Sequence, residues 1–239
     1  MLGAYIIGIV FAIIGLIVSG VLKSKFKKYS QIPVKGGLTG KDIAERMLAE
    51  NGIHDVQVIS VAGQLTDHYN PVNKTVNLSE LVYSSDSIAA AAVAAHECGH
   101  AVQHATAYSW LQMRSKMVPI VGVTSGWVPW VIIGGIIVGG SLGQTLLLAG
   151  IILFGILTLF SFLTLPVEID ASNRAISWLQ GSSLAGTMEM GKAKDALNWA
   201  GYTYVVAALG SLATLIYYIM LYMSRRKKSA KFSLKISEL

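Results

Sequence analysis

Residues 117–167 read MVPIVGVTSGWVPWVIIGGIIVGGSLGQTLLLAGIILFGILTLFSFLTLPV, 51 positions without an Asp, Glu, Lys, Arg or His. A bilayer's hydrocarbon core is about 30 Å thick and takes roughly 20 apolar residues of helix, so one helix of this length, about 76 Å, is too long to cross once. The stretch therefore predicts two spans joined by a turn. Gly139-Gly140-Ser141-Leu142-Gly143-Gln144 supplies the turn residues. Two further charge-free blocks, residues 1–22 and 196–224, are each long enough for one span. The chain thus reads as an α-helical membrane protein with four transmembrane helices.

Composition agrees with this. Of 239 residues, 53% are hydrophobic and 13% charged, against about 25% charged in a soluble domain. All 19 Lys and Arg and all 13 Asp and Glu lie outside the three blocks. A soluble enzyme, a nucleic-acid-binding module and a disulfide-built secreted domain are excluded, the last because Cys98 is the single cysteine. The net charge of +6 is carried beside the spans, where Lys and Arg set topology and touch anionic lipid, so no nucleic-acid partner is expected. Residues 1–22 lack a basic leading segment and are followed by Lys23-Ser24-Lys25-Phe26-Lys27-Lys28 instead of a small-residue cleavage site, which makes them a retained anchor.

The division that follows is a first transmembrane helix over residues 1–22, a small polar domain over 23–116, a membrane hairpin over 117–166, a returning helical segment over 167–200, a fourth span over 201–223 and a basic tail over 224–239. In the polar domain Thr39 and Asp42 open a helix with Ile43, Met47 and Leu48 on its apolar stripe, and Asn51-Gly52 ends it. Residues 56–61 and 75–78 read as strands, the second after an Asn70-Pro71 turn. Ser84-Ser85-Asp86-Ser87 caps an alanine-rich helix over 88–107. Pro166 is expected to end the third span before a helix over 168–180, with a loop over 181–191 and a short helix over 192–199.

The alanine-rich helix contains His96-Glu97-Cys98-Gly99-His100, an H-E-x-x-H pattern. Residues four apart share a helix face about 6 Å apart, so both imidazoles can reach one zinc ion with bonds near 2.1 Å. Glu97, one step round, can take a proton from a zinc-activated water and pass it to a leaving amine. Cys98 points to another face and reads as a small packed side chain. His104 lies about 12 Å along the axis from His96, too far for both to bind one ion. Catalytic zinc usually has a third protein ligand, and the membrane hairpin brings Glu168-Ile169-Asp170-Ala171-Ser172 back to the same membrane face. Spacing alone favours Glu168 only modestly over Asp170.

On these residues the chain resembles the YugP-type neutral zinc metallopeptidases, membrane proteins distantly similar to the HtpX-type membrane peptidases. The resemblance runs through Asp67-His68-Tyr69-Asn70-Pro71, Val76-Asn77-Leu78-Ser79, Ser87-Ile88-Ala89-Ala90, Val93-Ala94-Ala95-His96-Glu97-Cys98-Gly99-His100-Ala101 and Leu165-Pro166-Val167-Glu168-Ile169-Asp170-Ala171-Ser172. It implies a zincin or gluzincin-like α+β metallopeptidase domain, one zinc ion per chain, and a polypeptide substrate. In HtpX-type enzymes the third ligand opens an E-x-x-A-D motif, which implies Glu168 here, although Ser172 stands where that family has Asp. Asp170 or Asn173 then become candidates to orient the imidazoles, and Arg174 can pair with Asp170 or Glu97. By the same resemblance residues 75–78, with Val76 and Asn77, look like an edge strand on which substrate adds as a strand, and His68 and Tyr69 can donate to the oxyanion.

The functional expectation is a membrane-embedded zinc endopeptidase, a hydrolase of peptide bonds in membrane or membrane-proximal polypeptides. The rival is a non-catalytic membrane scaffold with a structural zinc site, which has no use for an acid at Glu97. A transporter is disfavoured because the spans carry no intramembrane charge. Four spans put both termini on one side. Within about 20 residues of span ends, the catalytic side carries eleven Lys and Arg against six on the other. The count favours a multi-pass protein of a bacterial-type plasma membrane with its catalytic face in the cytoplasm.

Overall fold

The computed structural model describes residues 2–34, 36–182 and 187–237. Helix α1 (Leu2–Tyr29) precedes α2 (Gly40–Glu50), then strands β1 (Gln57–Val61), β2 (His68–Asn70) and β3 (Thr75–Ser79), then α3 (Glu80–Ser84), α4 (Ile88–Ala105), α5 (Ser109–Val138), α6 (Gly140–Gly181) and α7 (Thr187–Ser237). Four helices among the described residues are long and apolar enough to cross a membrane: Ile6–Tyr29, Ser109–Val138, Gly140–Gly181 and Met190–Lys227. The protein is a helical membrane protein that carries a small α+β domain.

Local chemistry sets the elements around the site. Thr39 and Asp42 form a reciprocal capping box on α2, with Asp42 N–H donating to Thr39 Oγ1 at 3.3 Å and Thr39 N–H to Asp42 at 2.9 Å. The Thr39 hydroxyl first, and its N–H second, donate to the Asp42 carboxylate and hold it below its usual pKa. Ile43, Met47 and Leu48 are buried, and Asn51 caps the end before Gly52 at φ +71°. Ser87 caps α4 through the Ala90 N–H at 3.2 Å.

The sheet has the order β1-β3-β2, with β1 parallel and β2 antiparallel to β3. The expected edge at residues 75–78 is therefore the central strand. Period-2 alternation marks a strand with one buried face and says nothing about whether its sides are paired. The free edges belong to β1 and β2, and the three residues of β2 are too few to show a period.

The chain forms two compact units, with boundaries inside the long helices. One comprises Met1–Gly15, Met113–Leu163 and Val205–Leu239. In it Gly139 and Gly140, at φ +68° and +57°, make the tight turn between α5 and α6. Val128, Ile132, Leu147 and Ile151 are buried between those two helices, and Arg225 donates to the Gly135 and Ile136 carbonyls at the end of α5. The other unit, Leu16–Gln112 and Thr164–Tyr204, holds the sheet, α2 to α4 and the site.

Two expected breaks are absent. Helix α6 runs through Pro166 to Gly181, because proline removes one backbone bond while the rest of the ladder continues, a tolerance common in apolar helices. Likewise α7 is continuous from Thr187 to Ser237 where a short helix, a span and a tail were expected. Gly201, where the expected span begins, costs only about 1 kcal/mol in a helix interior. Of the expected loop over 181–191, residues 183–186 lie outside the described residues.

Candidate metal centre

One helical turn on α4 brings the His96 and His100 rings to 4.8 Å, edge to face. Glu168 comes from α6, and the approach of the two helices is set at Gly99. A Cβ there would sit 2.5 Å from the Ala171 carbonyl oxygen. Only glycine permits that approach. His96 Nε2 and His100 Nε2 lie 3.3 and 3.5 Å from Glu168 Oε2, and the ligand atoms of the three residues all fall within 4.8 Å of one another. Glu97 is buried beside them, its Oε2 accepting the Tyr69 N–H at 3.1 Å.

The imidazole protons can be placed from the bonds behind the rings. Gln103, fully buried on α4, donates through Nε2 to the Val167 carbonyl at 2.7 Å and to Asp170 Oδ2 at 2.9 Å. Both partners only accept, so the amide oxygen must be the atom 3.1 Å from His100 Nδ1. His100 Nδ1 therefore carries a proton, which leaves Nε2, the nitrogen that faces Glu168, as the atom that can bind a metal. Ser172 Oγ lies 3.1 Å from His96 Nδ1 and leaves its Nε2 facing the same carboxylate. Two imidazole nitrogens and a carboxylate oxygen grouped within 4.8 Å of one another suit a cation of the zinc type. Burial opposes charge on His100, but the Glu168 and Glu97 carboxylates outweigh it and hold its pKa above the ordinary imidazole value.

Comparison with known proteins agrees with this chemistry. Residues 4–223 match the family described as "Putative neutral zinc metallopeptidase". The chain belongs to that family. It is also 41% identical over 208 residues to "Putative membrane protease YugP" of Bacillus subtilis (strain 168), covering 87% of this chain and 91% of that protein. No solved structure matches.

In this zinc metallopeptidase chain the carboxylate that joins the histidines is Glu168, not Asp170. Asp170 stands behind His100, bonded to Gln103 and, at 2.6 Å, to Arg174 Nε. Arg174 thus pairs with Asp170, and its guanidinium lies 5.7 Å from the centroid of the Tyr108 ring. Asn173 is exposed and has no hydrogen bond among the described residues. The residues next to the imidazoles are Ser172 and Gln103, which sequence reading passed over. Each carried a signal, Ser172 four residues after Glu168 on the same face of its helix and Gln103 three after His100 on the buried face.

Four residues expected near substrate are placed differently from one another. Val76 is fully buried in the core, and Asn77 donates to the His68 and Thr75 carbonyls, each at 3.2 Å. Both belong to the central strand, which has no free side for substrate to join. His68 is exposed with Nδ1 2.8 Å from the Thr66 carbonyl. Tyr69 supplies its N–H to Glu97, and its hydroxyl lies 2.9 Å from His104 Nδ1. Burial pushes that phenol's pKa up. Cys98 is buried against α2, Sγ to the Ala44 carbonyl at 3.5 Å, and burial holds its thiol well above the ordinary range.

The contact at Gly99 gives a direct test. The Gly99→Ala protein is expected to lose about 1–3 kcal/mol of stability to overpacking and to bind zinc more weakly, because separating α4 from α6 withdraws Glu168. Thermal unfolding and metal content check it, and unchanged values in both would remove the close approach from the account of the site.

Proposed function

We propose that the chain is a membrane-embedded zinc endopeptidase that hydrolyses membrane or membrane-proximal polypeptides. The observation that carries this reading is the convergence of His96, His100 and Glu168, with the buried carboxylate of Glu97 beside them. His96 and His100, through Nε2, and Glu168 hold one zinc per chain. When bound there, zinc supplies Lewis-acid polarisation, which lowers the pKa of a water from 15.7 to about 7.

The chain's own residues do the rest. Glu97 accepts the proton of the attacking water and returns it to the leaving amine. The Tyr69 N–H holds one oxygen of that carboxylate in place, leaving the other for the proton. Gln103 and Ser172 fix the ring planes of His100 and His96, and Asp170 with Arg174 anchors Gln103. The Tyr69 hydroxyl is the donor we assign to the oxyanion, with His68 at the rim of the same strand. Catalytic residues come from 23–116 and 167–200, and the spans fix them to a bacterial-type plasma membrane with this face in the cytoplasm.

Purified full-length protein is expected to contain about one zinc per chain and to cut an unfolded membrane-tethered polypeptide until a chelator strips the metal. Cleavage that persists without metal overturns the reading. For the orientation, cysteines placed at Lys41 and at Lys227 in a Cys98→Ser background are expected to label from opposite sides. Labelling from one side would sink the four-span arrangement.

A further inference from the structure

A cavity of about 650 Å³ opens on α4 at Ala90–Val93, about one helical turn before His96. Its wall on α4 is formed by Ala90, Ala92 and Val93. Val93 lies three residues before His96 and four before Glu97, so it shares their helix face one turn away. Gln64 and Leu65, from the loop that leads into β2, form the side next to that strand. Leu22 and Phe26 of α1 and Leu197 and Ala200 of α7 close the opposite side. The lining is mostly apolar, and two cations stand at the cavity. Lys23 and Lys27 are both exposed, four apart on one face of α1, and make no ion pair among the described residues. Lys25, between them, is instead bound to Asp195 at 2.6 Å.

These positions line up. The Tyr69 N–H on β2 meets Glu97, and the loop just before β2 supplies Gln64 and Leu65 to the cavity. We propose that the cavity is the specificity pocket of the peptidase, receiving large apolar side chains on one side of the scissile bond while Lys23 and Lys27 draw an acidic residue further out. The inference rests on the peptidase reading above and deepens it by naming the substrate class: an extended segment with an apolar cluster followed by an acid. The volume exceeds that of one side chain and lies in the range of ligand pockets, about 300–1,000 Å³. Its lining from Leu22 and Phe26 and from Leu197 and Ala200 lies within two of the candidate spans, which suits substrate segments close to the bilayer.

The test uses full-length protein in detergent and two soluble peptide series. One series carries Leu, Phe, Ala or Ser beside the scissile bond, and the other carries Asp or Lys a few residues beyond. The wild type is expected to favour the large apolar peptides over the Ala peptide by roughly 10- to 100-fold in kcat/KM. Val93→Trp and Ala200→Phe fill the cavity from two different helices, and each is expected to collapse that ratio toward 1. Lys23→Glu with Lys27→Glu is expected to invert the Asp-to-Lys preference through KM. If both filling variants keep the apolar ratio and the charge reversal leaves KM unchanged, while cleavage still depends on Glu97, the cavity is not a substrate site. The proposal also falls if filling only releases a co-purified phospholipid, which would make the cavity a lipid site. If the wild type cuts none of the peptides and none of the tethered polypeptides, the peptidase reading fails and takes this one with it.

Discussion

The Glu97→Gln protein is expected to bind zinc as the wild type does and to lose hydrolysis by 10² to 10⁴ or more, the range of general base catalysis, which is about 3 to 5 kcal/mol of transition-state stabilisation. The amide is close to the carboxylate in shape, and its oxygen can still accept the Tyr69 N–H that Glu97 Oε2 accepts at 3.1 Å. The substitution removes one capacity, that of taking a proton from water. The three converging donors, on His96, His100 and Glu168, are untouched, so metal affinity should change little. A membrane scaffold with a structural zinc predicts a different result, since neither form cuts anything and the two behave alike. The measurement is cleavage of an unfolded membrane-tethered substrate by both forms at equal metal occupancy. Equal rates would remove Glu97 from the mechanism and with it the main argument for a peptidase.

What the sequence shows plainly is what depends on period or on exclusion. Long charge-free blocks read as spans, and histidines four apart on an alanine-rich helix share a face, so the existence of four spanning helices and the histidine pair was readable, though not where α6 and α7 end. Glu168 was legible by topology, since two spans after His96 the chain must return to the same membrane side. Its preference over Asp170 was not, because two residues of rotation on α6 decide which carboxylate faces α4, and the rotation is set by the Gly99–Ala171 contact. The partners of the imidazoles were hidden for a similar reason. The spacing of Gln103 from His100 and of Ser172 from Glu168 puts each on the right helix face, but only three-dimensional placement shows that Gln103 links His100 to Asp170.

The errors in the fold have one origin. Rules drawn from soluble proteins read Pro166 as a stop, yet α6 passes through it, and α7 likewise runs unbroken from Thr187 to Ser237. In an apolar surrounding, an unfinished helix end costs more than a missing bond inside the helix, so the ladder continues. Strand β2 escaped notice because three residues cannot display alternation. It is nonetheless the strand that supplies the Tyr69 N–H to Glu97.

Glu168→Ala is expected to strip the metal, and Asp170→Ala to weaken its binding without abolishing it. Glu168 Oε2 lies 3.3 and 3.5 Å from the two imidazole Nε2 atoms, so its loss leaves two neutral ligands and no anion to balance a divalent cation. The remaining pair cannot fill a site that ordinarily takes three protein donors and a water. The affinity should fall by more than the roughly 10- to 100-fold that follows loss of an outer-shell partner. Asp170 is such a partner at one remove. Without it Gln103 keeps its bond to the Val167 carbonyl at 2.7 Å, so His100 keeps its tautomer, and the loss should stay within that 10- to 100-fold range. Hydrolysis should follow metal content in both proteins and return in Asp170→Ala when zinc is raised. Metal analysis of the two variants across a zinc titration, with thermal unfolding to confirm that each is folded, decides between the carboxylates. Zinc lost from Asp170→Ala and kept by Glu168→Ala would mean that the converging trio is not the metal site.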